Sequence, residues 1–149
     1  MNVFDIIGPV MIGPSSSHTA GAVRLGRVAY KLLGTEAVSA RIELTGSFAQ
    51  TYRGHGTDKA LVAGIMGMDS DDERIRRSLE LAAEAGMEVA FVETNIPNAH
   101  PNTARITLTG RHGESTVVQG ASVGGGSILI TAINGMSVSF TGQYNTILV

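Results

Sequence analysis

The sequence predicts a single α+β domain, a mostly antiparallel sheet with helices packed on one face. Three observations predict it. The chain has 149 residues, enough for one domain with a real core and too few for two of ordinary size. Helical spacing of apolar residues is confined to the first ninety residues, and the last third alternates at the strand period. Read in order, after a first helix, the elements run strand, two helices, strand, then four strands, which is the order of an α+β layer.

Residues 8–19, GPVMIGPSSSHT, form an irregular lead into a helix from about Thr19 to Leu33. Ala22, Leu25, Ala29, Leu32 and Leu33 make its buried face, Arg24, Arg27 and Lys31 fall on another, and Gly34 stops it. Ala40 to Leu44 alternates as a strand. A loop over Tyr52 to Asp58 follows, with Thr57 as the expected cap of a short apolar helix from Lys59 to Met66. Ser70 and Glu73 read as a capping box for a third helix with Ile75, Leu79 and Ala82 inside, ended by Gly86. Met87 to Glu93 is a strand, and Asn95 to Thr103 a nine-residue loop. Ala104 to Thr109 and Ser115 to Gly120 flank a turn, and Ser127 to Ile133 and Met136 to Phe140 flank Asn134-Gly135, a strong hairpin dipeptide. The last six residues, Tyr144 to Val149, read as the start of another strand or a truncation point.

Composition narrows the function. Apolar residues are 43 % of the chain and charged ones 16 %, against about 25 % in an average domain, which excludes a disordered tail. A net charge of −2 and 5 % aromatics give no surface for nucleic acid or an anionic membrane. No apolar run is long enough to span a membrane, and the N-terminus lacks the pattern of a signal peptide. Cysteine is absent, so the chain itself can hold no disulfide, thiolate nucleophile or iron–sulfur cluster. We read a cytoplasmic protein, part of whose weakly charged surface is covered by a partner.

Three of the four histidines lie in loops rich in small polar residues: His18 in Gly13-Pro14-Ser15-Ser16-Ser17-His18-Thr19, His55 in Gly54-His55-Gly56-Thr57, and His100 in Pro97-Asn98-Ala99-His100-Pro101-Asn102-Thr103. The serine run opens a helix, where hydroxyls and free amides suit a carboxylate or phosphate; it also suits a capped helix with no ligand. Gly-His-Gly fits a tight turn, and the 95–103 loop fits either a rigid Ω-like loop or a functional one. Gly124-Gly125-Gly126-Ser127 is an anion-cradling nest or a bend before the last hairpin. His112, at a hairpin tip, receives no role. A three-histidine metal site is conceivable, but no spacing supports it. Neither a phosphate-binding glycine loop nor a nucleophile elbow is present.

Four separated segments, FDIIGPVMIGPSSSHTAG, GHGTDKALVAGIMG, NAHPNT and GASVGGGSILITAING, together resemble the β subunit or β domain of bacterial iron–sulfur-dependent L-serine dehydratase (L-serine deaminase). The match covers nearly all of residues 1–149 in the family's order. The resemblance implies a fold similar to the allosteric-substrate-binding domain of phosphoglycerate dehydrogenases. It implies a lyase that converts L-serine to pyruvate and ammonia, with a [4Fe-4S] cluster held by a cysteine-bearing α subunit and acting as Lewis acid on the serine hydroxyl. On this chain it implies that Ser15, Ser16, Ser17 and Thr19 hold the substrate carboxylate. His18 would bond that carboxylate or move a proton, and His55 with Thr57, and His100 with Asn102 and Thr103, would line the rest of the wall. The chain alone is then expected to be inactive, and a homodimer of the isolated chain stays open. The small regulatory ACT domain that often follows in the family is expected to be absent or truncated here. The same fold admits a second reading, a regulatory module that binds an anionic effector and does no chemistry.

Overall fold

The computed structural model describes residues 17–51 and 56–141. Eleven elements follow in order among them. Helix α1 spans Ser17–Leu33, strand β1 Ala37–Leu44, helix α2 Gly46–Thr51 and helix α3 Thr57–Ile65. A 3-10 helix, Glu73–Arg77, runs into helix α4, Ser78–Glu84. Strands β2 to β6 are Glu88–Glu93, Thr103–Gly110, Ser115–Gly124, Ser127–Ile133 and Met136–Thr141. They form one six-stranded sheet in the order β2-β1-β3-β4-β5-β6. Every pairing is antiparallel except β1 with β2, whose parallel register needs the crossover that α2 to α4 supply.

Alternation decides which face the helices cover. Ala40, Ile42 and Leu44 of β1, Ala104, Ile106 and Leu108 of β3, Val118 of β4 and Ile128 and Ile130 of β5 are buried in one core. Ala22, Val23, Leu25 and Ala29 of α1 and Leu61, Val62 and Ile65 of α3 complete it. The outer face carries polar cross-strand groups between Val92, Val117 and Leu129. The Arg105 guanidinium donates to Gln119 Oε1 at 3.0 and 3.2 Å and meets Glu43 at 3.5 Å, and Gln119 reaches Thr131 at 3.3 Å. Such cross-strand pairs help to hold neighbouring strands in register on the face away from the helices.

Helices α1 and α3 touch backbone to backbone. A Cβ on Gly64 would lie 2.9 Å from Arg27 N and 3.0 Å from Gly26 Cα, and closer still to the Val23 carbonyl oxygen. Only glycine on both helices permits this approach. Val23 lies beside Gly64 and Tyr30 beside Gly67, so the two helices start at the same end of the domain.

Several local expectations change. The Ser70–Glu73 capping box does not form. Asp72 caps instead: its carboxylate accepts from Arg74 N at 2.8 Å and its backbone is extended (φ −74°, ψ 130°), so the helix opens one turn in 3-10 geometry before α4. The cap of α3 is Gly56 in a left-handed conformation (φ 77°), and Thr57 is the first helical residue, with no capping bond from its side chain. Helix α2 escapes the apolar periodicity, being six residues long; Phe48, fully buried, ties it to the core. Asn134 and Gly135 both have positive φ (51° and 85°), the turn expected for that hairpin. Gly125 and Gly126 also have positive φ and make the β4–β5 turn closed by the Gly124–Ser127 pair, which is the bend reading of the glycine run.

Candidate functional site

The topology gathers the described candidate residues at one end of the sheet. There β1, β2 and β4 finish, β3 and β5 begin, and α1 and α3 start. In open sheets ligands bind beyond the carboxyl ends of parallel strands, which here are the ends of β1 and β2. Ser17, His18 and Thr19 form the first turn of α1. Thr57 opens α3, and His100, Asn102 and Thr103 lead into β3. Ser15, Ser16 and His55 lie outside the described residues, as do residues 142–149; of Ser17 and His18 the backbone alone is described. His112 sits in the turn at the opposite end, exposed, with its N–H donating to Glu114 Oε1 at 2.9 Å. Backbone N–H groups of Glu114 itself and of His112 hold the Glu114 carboxyl below its ordinary range.

The loop before β3 is held by its own polar groups. Asn102 N donates to His100 Nδ1 at 3.0 Å, so Nδ1 is the acceptor nitrogen and Nε2 carries the ring proton. Thr103, buried, donates its hydroxyl to the His100 carbonyl at 2.6 Å. That bond fixes the loop and occupies the hydroxyl proton of Thr103. Pro101 packs on Gly46 at the start of α2, where a Cβ would lie 2.7 Å from Pro101 Cα; the left-handed φ of 62° also favours glycine there. Thr45 N donates to Thr103 O at 3.2 Å and Ser122 N to Asn102 O at 3.0 Å, so β1, the loop and β4 are pinned together. His100 itself is exposed, its ring presented outward from an anchored backbone.

Two residues of this end have no site role in the sequence reading. Ser122, 1 % exposed, lies at the end of β4 against the first turns of α1, where a Cβ on Gly21 would collide with its hydroxyl. Continuing the alternation Thr116, Val118, Gly120 past the expected strand end would have placed Ser122 on the inner face. Arg24, on a face of α1 other than its apolar stripe, donates through Nη1 to the Gly126 carbonyl and holds the glycine turn to α1. No periodicity in the sequence links those two.

Three buried side-chain atoms make no hydrogen bond among the described residues: Thr57 Oγ1, Asn102 Oδ1 and Ser122 Oγ. All three belong to residues at this end. Orphaned polar atoms cost stability and are rare in the body of a fold, so their gathering at one end makes it the candidate place for a polar ligand. Thr19, also buried, is engaged within the chain. Asp58, in the first turn of α3, puts its carboxylate on Lys59 N at 2.7 Å, where the helix dipole favours it. Among the described residues no three side chains gather that could hold a metal ion, and no helix is long and apolar enough to cross a membrane.

Residues 2–132 match the family model described as serine dehydratase beta chain. The chain is 47 % identical over 148 residues to an "L-serine dehydratase, beta chain" of Peptoniphilus asaccharolyticus, aligning 99 % of this chain with 67 % of that one. It is 50 % identical over 149 residues to a "Probable L-serine dehydratase, beta chain" of Bacillus subtilis, again covering 67 % of the relative. To an "L-serine dehydratase" of Mycobacterium bovis it is 33 % identical over 160 residues, 92 % of this chain and 34 % of a longer one.

Proposed function

We propose, from the premise that this chain belongs to the serine dehydratase beta chain family, that it is the β subunit of an L-serine dehydratase, a lyase forming pyruvate and ammonia from L-serine. The observation that carries the reading at the site is the convergence of α1, α3, the His100 loop and Ser122 at one end, with unpartnered buried polar atoms there. An effector module needs a place for an anion but has no reason to present the anchored His100 loop beside it.

Elimination of water from L-serine gives 2-aminoacrylate, which tautomerises to an imine and takes back water to give pyruvate and ammonia. In our reading the first turn of α1, with Ser15, Ser16, Ser17 and Thr19, binds the substrate carboxylate through backbone N–H groups and hydroxyls. His18 bonds that carboxylate or carries a proton, and His55 and Thr57 continue the wall. His100 presents its Nε2–H from the anchored loop, Asn102 offers its amide, and Thr103 acts by holding His100 in place.

The family resemblance also implies an iron–sulfur cluster. The sequence has no cysteine and the described residues gather no metal ligands, so this chain's side chains do not fit such a group. We place the [4Fe-4S] cluster on a cysteine-bearing α subunit and derive no step through it. The assembly works in the cytoplasm in this reading.

Anaerobic reconstitution with the cysteine-bearing partner, followed by a pyruvate assay from L-serine, tests the proposal. The chain alone should give no pyruvate and the complex should turn over. His18→Ala in the complex should cut the rate by roughly 100-fold or more without lowering Tm. An inactive wild-type complex refutes the function, and near-normal turnover of His18→Ala refutes the role of that residue.

A further inference from the structure

Ser122 and Asn102 form a pair with a single unmet need. Ser122 N donates to Asn102 O at 3.0 Å, and Thr103 and Ala121 are paired one position inward. Residues 102 and 122 are therefore directly opposite across the ladder, with side chains on the same face and Cβ atoms about 5 Å apart. That face is the inner one, because the Ser122 side chain meets Gly21 of α1. Ser122 Oγ and Asn102 Oδ1 are both sealed from solvent and both without a partner. An amide oxygen only accepts and a hydroxyl can accept, so both atoms can receive hydrogen bonds from one donor group placed between them.

We propose that Ser122, with Asn102, contacts the α-ammonium group of a zwitterionic amino acid bound at this end. The inference deepens the function proposed above and rests on it. The opposite ends of the ligand then meet opposite chemistry. The carboxylate takes the N–H groups that open α1, and the ammonium, two bonds away, takes the acceptor pair on the neighbouring strands. An ammonium in a dry site needs several acceptors, which the pair supplies from residues already locked by a backbone hydrogen bond. Ser122 is thereby a ligand-contacting residue that owes its position to the end of β4.

The test uses the reconstituted two-subunit enzyme with Ser122→Ala. The substitution deletes a buried hydroxyl that bonds to nothing in the free chain, so Tm should stay unchanged or rise. KM for L-serine should rise about tenfold, the loss expected for one hydrogen bond to a charged group. Inhibition by 3-hydroxypropionate, which is serine without its amino group, should change by less than about twofold, because the lost contact was to the ammonium. A lowered Tm, an unchanged KM, or equal weakening of serine and of 3-hydroxypropionate each overturns the assignment. Absence of pyruvate from the wild-type complex overturns instead the function on which it rests.

Discussion

Replacing Gly64 by alanine tests the backbone contact between α1 and α3. The new Cβ would lie 2.9 Å from Arg27 N, 3.0 Å from Gly26 Cα and closer to the Val23 carbonyl. All three are backbone atoms of a packed helix, so no side-chain rotation relieves the clash and the helices must part by about 1 Å. Overpacking of this kind costs about 3 kcal/mol at the upper end of its usual range, since the obstacle is backbone. Alanine returns about 1 kcal/mol through its better helix propensity. The net loss is about 2 kcal/mol, or a Tm lower by about 4–8 °C for a chain of this size. Gly21→Ala is the internal control: its Cβ meets the movable hydroxyl of Ser122, and the double change with Ser122→Ala should recover most of its smaller loss. Thermal melts followed by circular dichroism read all three. A Gly64→Ala protein as stable as wild type, or more stable by its propensity gain, refutes the close approach.

Two further outcomes are expected. Asp72→Ala should lower Tm at neutral pH by about 2–4 °C, the value of one N-cap. The Arg74 side-chain hydrogen bond depresses the Asp72 carboxyl below 3.8 in the folded state, so its contribution is complete above that value. It disappears only as pH falls through the depressed pKa, and melts of wild type and variant should converge there and nowhere above. His100→Ala in the reconstituted enzyme should reduce turnover by about 100-fold, while His112→Ala, at the far end, should leave it unchanged; equal effects would sink the placement of the site at one end of the sheet.

Much of the fold could be read from the residues because its signals are local. Asn134-Gly135 demands a turn that few other dipeptides satisfy, and the alternation of β3 and β5 shows directly in their burial. Where local signals competed, the structure chose by geometry. Ser70 had the right spacing to Glu73, yet Asp72 is the stronger acceptor and sits next to Arg74, so the cap moved by two residues. The crossover and the parallel placement of β2 beside β1 are properties of the whole sheet, not of any segment. The site divides in the same way. His100 and Asn102 announced themselves as polar residues in a long loop, whereas Ser122 lies in a strand and gains meaning only from what it faces, Gly21 and Asn102.

The strand order has a consequence for biosynthesis. Strands β3 to β6 form a meander whose neighbours are joined by short turns, so each pairing closes a small loop at little entropic cost. Strand β1 can pair with β2 earlier, but its join to the meander must wait for β3, since Leu44 pairs with Ala104. Helix α1 lacks the β3, β4 and β5 side chains of its core until that meander exists. A ribosome delivers these parts in the reverse sequence, N-terminus first. The segment richest in candidate chemistry therefore emerges early and is seated late. During translation the serine and histidine turn of α1 precedes the sheet that orients it, and the proposed carboxylate and ammonium contacts can meet only after β4 has been made.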